Sequence, residues 1–219
     1  MSIPRIKICC ISSVDEARLA IAHGASALGL VSAMPSGPGV IEETLIAEIA
    51  VSIPPPIAKF LLTSKQSVGQ IIEQQRHCRT NTIQICDHLL DGEYDELRNA
   101  LPGISLVQVI HVGGEESVTE AVDVAPKVDA LLLDSGNQKL AIKELGGTGR
   151  VHDWTISRRI RDAVDKPIFL AGGLRPENVA EAIQRVQPFG VDICSGVRTN
   201  GRLDPEKLRA FVTAVRNAR

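Results

Sequence analysis

Eight short apolar runs recur along the chain, and a segment with helical periodicity follows each one. Strands that alternate with helices in this way pair in parallel, because a helix-length crossover returns the chain to the same end of the sheet. The runs are Arg5 to Ile11, Ala27 to Val31, Ile57 to Leu62, Thr82 to Cys86, Ile104 to His111, Ala130 to Asp134, Ile168 to Ala171 and Val191 to Cys194. The first helix is capped by Ser12 or Ser13, with Glu16 placed as capping-box partner of Ser13, and ends at Gly24. Later helices are expected over Ile41 to Val51, Ser64 to Gln75, Asp91 to Leu101, Glu116 to Val124, Trp154 to Ala163 behind an Asp153 cap, Pro176 to Val186, and Pro205 to Asn217 behind Asp204. The strands read as unbroken apolar stretches, as parallel strands covered on both faces do. A doubly wound open sheet is the alternative, but it usually has fewer strands and one switch-point crevice. Eight units in 219 residues predict an α/β fold, a single-domain (β/α)8 TIM barrel over 1–219.

In such a barrel the C-terminal strand ends carry the chemistry. That filter selects Cys9, Cys10, Cys86, Asp134, Gly172, Gly173, Cys194, Ser195 and Gly196. Gly172-Gly173 and Ser195-Gly196 follow the last two strands, where exposed backbone N–H groups can cup a phosphate; the bland reading is two tight turns. Asp134 is either a turn residue or a carboxylic acid that donates a proton. Cys9 is either a core thiol or a thiolate base beside Lys7, which alternation puts on the same strand face. Gly147 and Gly149 flank Thr148 in the polar loop Ser135 to Arg150, which is a lid or a flexible turn.

Composition closes off other classes. The net charge of -2 gives no basic field for nucleic acid, and no run of 18 apolar residues offers a membrane span. Aromatics at 3% disfavour a base-stacking or carbohydrate platform. Five cysteines, an odd number, and an N-terminal stretch that reads as a strand rather than a signal peptide suit reduced thiols in a cytoplasmic protein. Cys9, Cys86 and Cys194 all end strands and could converge on a soft metal, but no Cys-x-x-Cys spacing supports that.

Five stretches, in order and across almost the whole chain, together resemble the phosphoribosylanthranilate isomerase family of tryptophan biosynthesis. They are Lys7-Ile8-Cys9, Leu133-Asp134-Ser135, Gly146-Gly147-Thr148-Gly149 with Asp153-Trp154, Ala171-Gly172-Gly173-Leu174 with Pro176-Glu177-Asn178-Val179, and Gly190-Val191-Asp192 through Ser195-Gly196-Val197. The resemblance implies a cofactor-free Amadori rearrangement of an N-(5'-phosphoribosyl) aromatic amine to a 1-deoxyribulose 5-phosphate. It implies Asp134 as the acid that opens the ribose ring and Cys9 as the base that removes the C2' proton. It places the phosphate on N–H groups of Gly173, Ser195 and Gly196, and it assigns Lys7, Gly147, Gly149, Gly172 and Asp192 to the same substrate site. No metal or cofactor, no nucleic acid and no membrane is expected, only a small phosphorylated sugar-amine, bound by a monomer or homodimer.

The departures are not scattered. The family's Lys-Ile-Cys-Gly ends here in Cys10, its Ser-x-Arg becomes Ser36-Gly37-Pro38, its Gln-Leu-His-Gly becomes Gln84-Ile85-Cys86-Asp87, and a late serine becomes Cys194. In the family the missing arginine holds the anthranilate carboxylate. Acid, base and phosphate elements are kept while amine recognition is altered. The same chemistry on another phosphoribosyl amine, and a non-catalytic phosphosugar-binding or regulatory paralogue, therefore stand beside the standard activity.

Overall fold

The computed structural model describes residues 3–138 and 140–218. Eight parallel strands close into a barrel in sequence order: β1 (Arg5–Ile8), β2 (Ala27–Val31), β3 (Ala58–Thr63), β4 (Thr82–Ile85), β5 (Ser105–His111), β6 (Ala130–Asp134), β7 (Ile168–Leu170) and β8 (Gly190–Ile193). The seam pairs β1 with β8, Lys7 opposite Asp192 and Ile8 opposite Ile193. Around it lie α1 (Val14–Ala22), α2 (Glu43–Ser52), α3 (Val68–Cys78), α4 (Tyr94–Ala100), α5 (Glu116–Val124), α6 (Trp154–Ala163), α7 (Val179–Val186) and α8 (Pro205–Asn217). A two-stranded ribbon, β9 (Arg198–Thr199) with β10 (Arg202–Leu203), precedes α8 and has no counterpart in the sequence reading. None of the helices in the described residues is long and apolar enough to cross a membrane.

The period of two along each strand sorts side chains into two cores. Outward residues such as Leu28, Leu30, Leu61, Ile83, Leu131 and Leu133 pack under the helices. Inward residues, among them Ala27, Phe60, Val107, Ala130, Leu132 and Phe169, fill the barrel. Phe60 and Phe169 meet edge to face with ring centroids 5.7 Å apart and occupy the middle. Gly190 makes room for them: a Cβ there would sit 2.7 Å from the Phe169 ring. Above this apolar plug the interior turns polar, with Lys7, Gln84, Asp134 and Asp192 all buried.

Several boundaries differ from the sequence reading for local reasons. The first strand stops at Ile8 rather than Ile11, because Cys10 takes a left-handed φ of 62° and turns the chain off the barrel. Ser13 does cap α1, accepting from the Glu16 N–H at 3.1 Å, but the capping box does not form. The Glu16 carboxylate turns instead to Ser12, Arg198 and the Leu203 N–H. Ser64 does not start α3; its hydroxyl donates to the Ala33 carbonyl, and the helix begins after Ser67. Gly92, at φ 86°, delays α4 to Tyr94, behind a reciprocal Glu93–Glu96 box. Pro176 to Asn178 form a turn rather than the first turn of α7: Asn178 Oδ1 accepts from the Arg175 N–H at 2.7 Å.

Candidate active site

The strand exits of β1, β6, β7 and β8, with the loops after β2 and β6, enclose a cleft of about 700 Å³ counted out to the solvent at its mouth. Cys9 and Asp134 both line it. They come from β1 and β6, and the strands between them, β7 and β8, carry the two glycine exits. A thiol on one flank and a carboxyl on the other therefore bracket Gly172, Gly173 and Ser195, which also line the cleft.

Asp134 ends β6 with one oxygen tied down and one turned to the loop. Oδ1 accepts from the Ser135 N–H at 2.7 Å. Oδ2 lies beneath Gly146, where an added Cβ would be 2.7 Å from it. Gly146, at φ 138°, is a position that only glycine tolerates freely. Cys9 continues from β1, its N–H donating to the Ile193 carbonyl at 2.8 Å. Its sulfur points inward over β2: a Cβ on Gly29 would lie 2.7 Å from Cys9 Sγ and 3.3 Å from Lys7 Nζ. Lys7 and Cys9 thus share the barrel's inner side.

Lys7 itself does not border the cleft. It is completely buried below it, its ammonium 2.8 Å from Asp192 Oδ2 and 5.0 Å from the Phe60 ring centroid. Burial alone would lower its pKa, but the Asp192 carboxylate, Cys9 and Cys86 together raise it, so the ammonium stays charged. The sequence reading put Lys7 in the substrate site; as the third residue of the four-residue β1 it is fully buried and pairs with Asp192. Asp192 does line the cleft, and its Oδ1 is buried without a hydrogen-bond partner among the described residues.

Residues 145–149, in the loop after β6, line the mouth, Gly147 and Gly149 among them. Gly147 packs so closely on Pro38 that a Cβ would be 2.5 Å from the proline ring. Bonds that pin the loop include Ser36 Oγ to the Lys143 carbonyl at 2.7 Å, Ser135 Oγ with Thr148 Oγ1 at 2.7 Å, Lys143 Nζ to Asp87 Oδ2 at 2.5 Å and Gln138 Nε2 to Asp87 Oδ1 at 3.0 Å. At the cup, the N–H groups of Gly172, Gly173, Ser195 and Gly196 donate to no acceptor among the described residues. Gly196 stands behind the lining, packed so near the Leu174 carbonyl that a Cβ would lie 2.3 Å from it. The cleft is lined by two carboxyl groups, Asp134 and Asp192, and by no lysine or arginine among the described residues.

Cys86 and Cys194 also lie here, but no group of three His, Cys, Asp or Glu side chains among the described residues is placed to hold a metal ion. Sequence reasoning missed Arg198, whose guanidinium donates to the Cys9 and Cys10 carbonyls at 3.3 and 2.5 Å and pairs with Glu16 at 2.9 Å. These partners lie more than 180 residues away in sequence, so no local spacing signals them.

The family model for N-(5'-phosphoribosyl)anthranilate isomerase matches residues 6–214. The N-(5'-phosphoribosyl)anthranilate isomerase of Haloferax volcanii is 35% identical over 217 residues, 98% of this chain and 94% of its own. One of two such isomerases from Methanosarcina mazei is 36% identical over 215 residues, 97% of this chain and 94% of its own. Among solved structures, phosphoribosyl anthranilate isomerase from Thermotoga maritima superposes with a TM-score of 0.81 at 27% identity, covering 97% of this chain and 98% of that one. A phosphoribosyl anthranilate isomerase in complex with reduced 1-(o-carboxyphenylamino)-1-deoxyribulose 5-phosphate gives a TM-score of 0.78 at 25% identity, with 97% and 98% coverage. With the family model spanning nearly the whole barrel, this chain belongs to the phosphoribosylanthranilate isomerase family.

Proposed function

We propose that the protein isomerises N-(5'-phosphoribosyl)anthranilate to the corresponding 1-deoxyribulose 5-phosphate, the aldose–ketose step of tryptophan biosynthesis. The observation that carries this reading is the placement of one thiol and one carboxyl, Cys9 and Asp134, in a single cleft on either side of N–H groups that have no acceptor among the described residues. The phosphate binds those N–H groups at Gly173, Ser195 and Gly196, an anion site that needs no lysine or arginine. Asp134 protonates the ribose ring oxygen as the C1'–O bond opens, leaving an iminium. Cys9, as thiolate, takes the C2' proton, and the electrons move into an enolamine that tautomerises to the ketone. Asp192 Oδ1, without a hydrogen-bond partner among the described residues, accepts a hydrogen bond from a substrate hydroxyl. Its other oxygen is anchored by Lys7, which keeps the acceptor in place. The loop over the mouth keeps water from the iminium.

A direct assay with phosphoribosylanthranilate tests this, with rescue of a tryptophan auxotroph lacking the step as a second readout. Cys9→Ala and Asp134→Asn are each expected to lower turnover by about 100-fold or more while leaving thermal stability nearly unchanged. Loss of stability with unchanged turnover would make both groups structural.

A further inference from the structure

One carboxylate outside the reacting groups carries much of the loop after β6. Asp87 follows Cys86 at the exit of β4 and is 3% exposed. Family resemblance leads one to expect glycine there, which has no side chain to offer. The Asp87 carboxylate has three donors. Oδ1 accepts from the His88 N–H at 2.9 Å and from Gln138 Nε2 at 3.0 Å, and Oδ2 accepts from Lys143 Nζ at 2.5 Å. Asp87 is held in its turn, its carbonyl accepting from Gln108 Nε2 at 3.2 Å. Gln138 and Lys143 sit on the two arms of the loop. Reciprocal N–H to carbonyl bonds between Asn137 and Glu144, at 2.8 and 3.0 Å, join those arms beside them. From Lys143 the chain runs straight to the cleft. Ser36, which lines it, donates to the Lys143 carbonyl. Leu145 packs into the inner core, and Gly146 lies against Asp134 Oδ2.

We propose that Asp87 is a positioning residue: through Lys143 and Gln138 it holds residues 145–149 against Asp134 and so keeps the reaction from ending in hydrolysis. Asp87 does not line the cleft, so it acts only through the loop. The Lys143 side chain is 37% exposed and that of Asp87 4%. A lysine that swings out regains water, but the carboxylate left behind loses its counter-charge in a buried place, and that cost falls on moving the loop. The hold follows from this geometry; what it protects rests on the isomerase reading. Once the ribose ring opens, C1' of the iminium is open to water. Water's oxygen would bond to C1' and give one proton to solvent. The C1'–N bond would then break as the new hydroxyl's proton passes to nitrogen, leaving free amine and ribose 5-phosphate. Backbone kept in place beside Asp134 leaves loss of the C2' proton to Cys9 as the faster course.

Asp87→Asn, Lys143→Met, the double variant and Lys143→Arg test this. Asparagine matches aspartate in shape and Lys143 is partly exposed, so the fold is expected to survive, which thermal unfolding checks. One readout is the ratio of free amine to ketose formed from phosphoribosylanthranilate, corrected for hydrolysis without enzyme. The other is amide hydrogen exchange across residues 143–149. Asp87→Asn and Lys143→Met should each raise the ratio and the exchange rate by about tenfold, the worth of one charge-assisted hydrogen bond. Lys143→Arg should keep both near wild type, and the double variant should be no worse than either single one, as for members of one pair. Lower thermal stability with an unchanged ratio would make Asp87 merely structural and overturn the inference. So would faster exchange with an unchanged ratio, or losses that add in the double variant. A wild-type protein that forms no ketose would sink the isomerase reading instead; the exchange rates then decide by themselves whether Asp87 holds the loop.

Discussion

Pro38 lines the cleft, packed under Gly147 of the covering loop, where family resemblance leads one to expect an arginine. A carboxylated aromatic amine entering there finds Asp134 and Asp192 but no lysine or arginine among the described lining residues, so its carboxylate keeps its water. Most of the affinity is then expected to come from the phosphate. An amine without the ortho carboxylate is expected to lose little relative to anthranilate, measured as kcat/KM for the two phosphoribosyl amines. Pro38→Arg should raise kcat/KM for the carboxylated substrate roughly tenfold or more, the worth of a charge-assisted hydrogen bond of about 1.5 kcal/mol or above, and leave the other unchanged. Pro38→Ala run beside it separates charge from the stiffness of the loop. Strong native discrimination for the carboxylate would mean that another cation supplies the charge. Cys9 and Asp134 were legible in the sequence because reactive side chains at strand ends stand out against apolar runs. The free Oδ1 of Asp192 and the burial of Lys7 were not, since both depend on which strand closes against which.

Arg198, at the start of the β9–β10 ribbon, shows what an element adds that its own sequence does not announce. It reaches back to Glu16 in α1, and Glu16 in turn accepts from the Leu203 N–H at 2.9 Å. Burial alone would raise the Glu16 pKa, but the hydrogen bonds from Arg198, Leu203 and Ser12 bring it below its ordinary 4.5. A carboxyl with a depressed folded pKa stabilises fully above its unfolded value and loses that contribution as pH falls through the folded one. Glu16→Gln is therefore expected to cost about 1 kcal/mol near neutral pH, reduced from the buried-pair range because the site is at a solvated rim. The deficit should vanish in acid below the folded pKa, where wild-type Glu16 is itself protonated. Urea unfolding of both proteins at neutral and strongly acid pH checks this; a deficit equal at both would mean lost packing rather than lost charge. Helix periodicity gave each helix its place. Helix starts slipped at α3 and α7 because a serine or proline that can begin a helix was taken up by a tertiary bond or a turn, and at α4 because Gly92 takes a left-handed φ.

A buried ion pair, Lys7 with Asp192, spans the β1–β8 seam where the barrel closes. Removing one partner leaves the other charge stranded in the interior. Lys7→Met alone should destabilise by about 3–5 kcal/mol, and Lys7→Met with Asp192→Leu should recover much of that loss. Free energies from urea unfolding of the single and double variants decide it; simple addition of two losses would show that the charges do not compensate each other. Closure of eight alternating units was readable from periodicity, yet the pair that seals it was not, since its members are 185 residues apart. That separation has a consequence for the growing chain. On the ribosome Lys7 emerges long before Asp192 and waits in water, while β1 and the newest strand each present an unpaired edge. A contact between residues 185 apart in sequence is costly to close early, so we expect it to be absent from the folding transition state, and Lys7→Met to speed unfolding and leave refolding nearly unchanged. A nascent chain halted before β8 keeps both edges open to strands of its neighbours, and only the completed chain escapes that hazard.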